Sequence, residues 1–312
     1  MKRFENYAVV FPARDAFYKG LSPTFYNNYD FFKDIMDTAS DYIGYDLCEI
    51  SYKNPVLNPE LHTVCLVAHC YAVYKLVVRH VKGPIAAAGF SQGEFTAVAS
   101  AGSMQFPQVL KLIYELEQLV ITNDSIKDGM MARVMELDRN KLMECCRIVD
   151  PEETSVVLAT YLSRDQNVIS GSKVKVAEVA RLAKKSGARW VIPLDTAAFH
   201  SPLCLNMAAE STPIFGRYNF SDSEYPVYSC VDGEGAVKGN QIKEKLSKQL
   251  AAPILWDRIV GNFKSLGIDG ILELGAGCTV SGNIRIIDES IKCQWINTAE
   301  DLEKMIDASI RC

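Results

Sequence analysis

The sequence predicts an α/β protein: a large domain around a parallel sheet, with a small ferredoxin-like βαββαβ subdomain inserted in it. Three observations lead there. Tyr7-Ala-Val-Val-Phe11 and Ile85-Ala-Ala-Ala88 are short, continuously apolar runs, as expected of strands covered on both faces. Leu61 to Val81 is apolar nearly all round, as expected of a buried helix. From Met130 to Leu194 the texture changes to strand, helix, strand, strand, helix, strand. The predicted units are therefore 1–129 with 195–312 as the large domain, and 130–194 as the small one.

Each element has its own signal. Pro12 ends the first strand, and Gly83-Pro84 ends the long apolar helix. The strand at Ile85 runs straight into Gly89-Phe-Ser-Gln-Gly93, and Glu94 to Ala101 then has helix-forming composition. Pro107 to Asn123 reads as a further helix. In the insert, Met130 to Met135, Ser155 to Tyr161, Asn167 to Gly171 and Arg189 to Ile192 read as strands. Asp138 to Cys146 and Ser172 to Lys185 read as helices, with Asp138 a suitable N-cap. Gly267 to Leu274 is a late strand ending at Gly275-Ala-Gly277.

Composition narrows the function. Hydrophobic residues make up 48% of 312, enough for a large core. The net charge of −5 comes from interspersed charges with no basic stripe, which argues against a nucleic-acid partner. The ten cysteines are scattered without a Cys-x-x-Cys pair, as for reduced thiols packing as small hydrophobes. The N-terminal apolar run is too short for a signal peptide or a membrane span, so the expected location is the cytoplasm, away from membranes.

Gly89-x-Ser91-x-Gly93 is the motif with chemical content. A nucleophile on a tight strand-to-helix turn needs small neighbours, and the helix N-terminus beyond it favours a developing oxyanion. A serine of this kind needs a base, and the chain has four histidines. His62, Cys65 and His69 can share a helix face, but no further ligand at suitable spacing accompanies them, so no metal site is expected. His200, in Ala197-Ala-Phe-His-Ser-Pro202, follows a predicted strand and sits in a loop, which suits a positioned base.

Gly89-Phe-Ser-Gln-Gly-Glu94 resembles the Gly-His-Ser-x-Gly-Glu signature of malonyl-CoA:acyl carrier protein transacylases and the acyltransferases of polyketide synthases, including trans-acting ones. Ala198-Phe-His-Ser-Pro202 resembles the family's histidine signature. Val9-Val-Phe-Pro12, Gln166-Asn-Val-Ile-Ser-Gly171, Gln249-Leu-Ala-Ala-Pro-Ile-Leu-Trp256 and Leu272-Glu-Leu-Gly-Ala-Gly277 resemble further family segments in the same order. The resemblance thus covers nearly the whole chain and implies a hydrolase-like large domain.

It further implies an enzyme that carries an acyl group from CoA or an acyl carrier protein, through an ester on Ser91, to the phosphopantetheine thiol of a carrier protein. His200 is then the base, and no bound cofactor is needed. The backbone N–H groups of Gln92 and Arg14 form the oxyanion hole, and the backbone carbonyl of Ala252 orients His200. The expected setting is polyketide-type assembly. The alternatives are an acyl hydrolase that clears carrier proteins, and a non-catalytic homologue that only docks a carrier protein.

Three departures from the family pattern bear on substrate. Phe11-Pro-Ala-Arg14-Asp15 stands where the family has Phe-Pro-Gly-Gln-Gly, and Ala13 and Asp15 resist positive φ. Phe90 replaces the histidine before the serine. The arginine that pairs with a malonyl carboxylate falls here on Glu117 or Gln118. The expected pocket residues are Phe90, Glu117, Gln118 and Phe199, and the expected substrate is an acyl group other than malonyl. An amino-bearing acyl group is favoured if Glu117 faces the pocket, and Arg14 is the one alternative cation for a carboxylate.

Overall fold

A computed structural model describes residues 4–18 and 21–310. The strands in chain order are β1 (Tyr7–Phe11), β2 (Ala86–Gly89), β3 (Gly129–Met135), β4 (Val156–Tyr161), β5 (Gln166–Ser172), β6 (Trp190–Leu194), β7 (Val227–Tyr228), β8 (Gly235–Ala236), β9 (Gly270–Leu274) and β10 (Cys293–Ile296). They form two sheets. The larger has the order β10-β9-β1-β2-β7-β8 and is parallel except for the β7–β8 pair.

Every residue of β1, β2 and β9 is buried, which is why these strands read as continuous apolar runs. One face packs on the helix His62–Val77, buried at every residue but Tyr71 and Lys75, and on the helix Phe106–Thr122. The other face builds a second core around Trp256, Ile259 and Phe263. His62 and His69 belong to the first core. His62 stacks on Phe17 at 4.1 Å between ring centroids. His69 Nδ1 lies 2.9 Å from the Tyr52 hydroxyl, and burial pushes its pKa down to about 4.

The smaller sheet has the order β4-β5-β3-β6, with every pair antiparallel. The helices Arg139–Val149 and Lys173–Lys185 cover one face, giving the ferredoxin-like topology. Asp138 caps the first of these, its carboxylate accepting from the Asn140 N–H at 3.0 Å. The other face of β3, through Met131, and of β5, through Val168, packs into the second core of the large sheet. The two sheets thus enclose a shared cleft. Among the described residues no helix is long and apolar enough to cross a membrane.

Candidate active site

The turn after β2 explains the spacing of its glycines. A Cβ on Gly89 would lie 1.8 Å from the Gly93 carbonyl carbon, and one on Gly93 would lie 2.4 Å from the Phe11 carbonyl oxygen. The two glycines therefore let β2, the helix Gly93–Ser100 and the end of β1 meet at van der Waals contact. Ser91, at the apex, has φ +53°, a left-handed conformation that a serine adopts only under local constraint. The turn aims its side chain out of the sheet at the start of that helix.

His200 reaches the same point from 109 residues further along the chain, also at positive φ, +56°. Its loop is tied down on three sides. The Ser170 hydroxyl on β5 donates to the Phe199 carbonyl at 2.7 Å, and the Ser201 hydroxyl to that of Ala198 at 2.6 Å. The His200 N–H donates to the Leu250 carbonyl at 3.1 Å. Its Nε2 then lies 2.8 Å from Ser91 Oγ, and both residues are buried.

The other face of the imidazole defines its tautomer. Nδ1 lies 3.0 Å from the Ala252 carbonyl and 3.1 Å from that of Gln249, and two acceptors there require a proton on Nδ1. A neutral ring then carries a lone pair on Nε2, facing the serine hydroxyl. Burial lowers the His200 pKa, against the two carbonyls that raise it, so the neutral form persists below the usual histidine range. The Ser91 hydroxyl has two acceptors within reach, His200 Nε2 and Gln92 Oε1, each at 2.8 Å, and its one proton serves either.

A residue that the sequence reading left unassigned holds the two halves together. The Gln249 side-chain nitrogen donates to the Ser91 carbonyl at 2.9 Å and to Glu94 Oε2 at 2.7 Å. Glu94 is itself buried and accepts from the Cys230 N–H at 3.1 Å. Gln249 thus fixes the serine turn through its side chain while its carbonyl faces His200. Its place at the start of the segment Gln249 to Trp256, which resembles a family segment, was the only sequence signal for it.

A cavity of about 350 Å³ opens beside the pair. Ser91, His200, Phe90, Phe199, Gln92 and Arg14 line it, with Met131 and Arg133 from β3 and Leu162 just after β4. Neither the Arg14 nor the Gln92 backbone N–H is taken by a hydrogen bond among the described residues. Ala13, Arg14 and Asp15 keep negative φ, because the loop tightens into a helical turn in which Ala16 N–H bonds the Ala13 carbonyl at 3.0 Å.

Two expectations change here. Gln118 is exposed and lies outside the cavity lining, so it is not a pocket residue. The helix Phe106–Thr122 buries Phe106, Leu110, Ile113 and Glu117 along one stripe, and residue 118 is about 100° further round. Glu117 is likewise outside the cavity lining, and it is buried but not free: its carboxylate takes the Arg14 guanidinium, which also lies over the Phe199 ring at 5.3 Å. Neither charge of this pair is available to an ammonium or a carboxylate on its own.

A hydroxyl facing the lone pair of an oriented, neutral imidazole can be deprotonated as it attacks an acyl carbon. Fold and site together define the class as an α/β acyltransferase. No family model matches the chain. A malonyl CoA-acyl carrier protein transacylase of Staphylococcus aureus (strain MRSA252) is 26% identical over 300 residues, spanning 95% of this chain and 97% of that protein. The solved structure of an acyl carrier protein S-malonyltransferase from Vibrio cholerae superposes with a TM-score of 0.91 at 26% identity, covering 96% of this chain and 100% of the other. A malonyl-CoA:acyl carrier protein transacylase from Xanthomonas oryzae gives 0.90 at 27% identity and 99% of both chains. The chain is thus similar over nearly its whole length to malonyl-CoA:acyl carrier protein transacylases, and it is an acyltransferase.

Proposed function

We propose that this enzyme moves an uncharged acyl group from a CoA or carrier-protein thioester, through an ester on Ser91, to the phosphopantetheine thiol of an acyl carrier protein. The carrier protein enters as partner from the relatives' names. In the first half-reaction Ser91 Oγ bonds to the thioester carbonyl carbon and its proton passes to His200 Nε2. The C–S bond then breaks and the departing thiolate takes that proton. In the second half the pantetheine thiol gives its proton to His200, attacks the ester carbonyl, and Ser91 Oγ leaves with the proton. The backbone N–H groups of Gln92 and Arg14 stabilise the oxyanion in both halves.

The observation that carries this reading is the 2.8 Å contact between Ser91 Oγ and an imidazole whose Nδ1 proton is held by two carbonyls. The uncharged acyl group rests on the Arg14–Glu117 pair. An incoming carboxylate has to share Arg14 with a carboxylate already in place, and a charge desolvated without a full partner costs several kcal/mol. Polyketide-type assembly is the setting that the family resemblance supports.

The test is intact-mass analysis of the enzyme after incubation with acetyl, butyryl, aminoacyl and malonyl thioesters, followed by addition of holo carrier protein. The expected result is an adduct at Ser91 from the neutral donors that transfers to the carrier thiol. An adduct that decays at the same rate with and without carrier protein identifies a hydrolase instead. Malonyl loading tenfold or more ahead of the neutral donors overturns the specificity.

A further inference from the structure

Two guanidinium groups line the acyl cavity, and each has an Nε–H that is buried without an acceptor among the described residues: Arg14 and Arg133. Arg14 spends Nη2 on Glu117, which leaves its Nε edge unused. Arg133 comes from the small sheet, where it lies opposite Val168 on β5 and Ile192 on β6. Strand alternation puts Arg133 on the side of Met131, which packs toward the large domain, while Ala132 and Val134 pack into the small domain's own core. Among the described residues Arg133 has no ion pair within bonding distance. Asp15, across the cavity lining, attracts it from further away.

The two Nε atoms are closed off from solvent, but Arg133 makes no hydrogen bond through any of its nitrogens among the described residues, and a guanidinium that lines a ligand cavity is most simply paired by the ligand. The charges around the cavity indicate what kind of ligand. Arg14 and Arg133 supply two positive groups, and Asp15, Asp195 and Glu117 supply three carboxylates at or behind the wall. A carboxylate on the substrate adds a fourth negative group to this set. An uncharged oxygen accepts the N–H without bringing a charge to be desolvated. The cavity, at about 350 Å³, is also larger than a two- or three-carbon acyl group needs.

We propose that the preferred acyl chain carries an uncharged acceptor oxygen beyond the thioester carbonyl, a hydroxyl or keto group, which accepts a hydrogen bond from the Arg133 guanidinium. This rests on the acyl-Ser91 reading above and names the substrate class for it. Arg133 is then a specificity-determining residue supplied by the small subdomain.

The experiment measures the initial rate of Ser91 acylation from CoA thioesters of matched length: butyryl, 3-hydroxybutyryl and acetoacetyl, with malonyl alongside. The oxygenated chains are expected to load about tenfold faster than butyryl, the size of one hydrogen bond to a charged donor. In Arg133→Met the ratio of 3-hydroxybutyryl to butyryl rates is expected to fall within about threefold of unity. Arg133→Gln, which keeps neutral N–H donors, should hold an intermediate ratio. Ratios are internal to each variant, so lower stability does not mimic the effect. Equal loading of butyryl and its oxygenated analogues by the native enzyme overturns the inference, as does an unchanged ratio in both variants. Failure of every thioester to acylate Ser91 removes the underlying transfer reading instead.

Discussion

Arg14 and Glu117 are 103 residues apart in sequence, yet the Arg14 Nη2 donates to both carboxylate oxygens of Glu117. The family resemblance puts glutamine at the first of these positions and arginine at residue 117 or 118, whereas here the cation stands on the loop and its counter-charge on the helix. The pair is mostly buried, with 20% and 6% of the two side chains exposed.

Separating that pair should change which substrate is accepted. Glu117→Ala leaves Arg14 with an uncompensated charge beside the cavity. A loss of about 1–3 kcal/mol in stability is expected, below the cost for a fully buried pair because Arg14 is partly solvated. The same variant should raise the malonyl-to-butyryl loading ratio tenfold or more. The double exchange Arg14→Gln with Glu117→Arg restores the family arrangement and should favour malonyl further. Thermal unfolding and competitive loading followed by mass spectrometry measure both effects, and an unchanged ratio in both variants contradicts the role given to the pair.

Ser91→Ala should abolish the acyl adduct while leaving the fold intact. Its positive φ is strained for alanine as well as for serine, so little change in melting temperature is expected. Intact-mass analysis after incubation with acyl thioesters is the check. Full loading of the alanine variant at another residue rules out Ser91 as the acyl carrier.

His200→Ala should slow acylation by at least about 10²-fold. The pH profile of the native enzyme carries the sign of the histidine shift. Burial disfavours the imidazolium, so the folded pKa lies below the usual 6.5 and the active, neutral ring persists to lower pH. Acylation kcat/KM should therefore be flat near neutrality and fall only as pH drops below 6.5. Stability follows the same direction, since below 6.5 the unfolded chain takes up the proton that the folded ring resists. A kinetic midpoint above pH 7 would mean that another group is the base.

Gln249→Ala removes the amide that joins the Ser91 carbonyl to Glu94. Glu94 then keeps its burial and loses one of its donors, so its pKa, already raised by burial, should rise further. A roughly tenfold or greater drop in kcat with a smaller change in KM is expected, because the side chain positions the turn without reaching the acyl group. Gln249→Glu, which brings a second carboxyl group to Glu94, should be worse than alanine at neutral pH and recover partly as pH falls. Equal behaviour of the two variants across pH contradicts this positioning role.

The central strands β1, β2 and β9, the βαββαβ order and the glycine-flanked serine turn were legible along the chain, whereas the short outer strands β7, β8 and β10 were not read. The legible elements depend on local periodicity, on breakers and on the space that Gly89 and Gly93 leave near their own neighbours. His200 stood out because it alone among the four histidines follows a strand into a loop. Sequence spacing was silent on partners. It left residues 117 and 118 equivalent, although a 100° step round the helix buries one and exposes the other. It named Ala252 as the carbonyl facing His200 and passed over Gln249, which lies equally close. It took Arg14 for a backbone contributor to the oxyanion hole and for an alternative cation toward a carboxylate, without pairing it with Glu117, and did not single out Arg133. Ion pairs and orphaned donors depend on which side chains from distant segments share a cavity. That is decided only when the large sheet and the small sheet close on the same cleft.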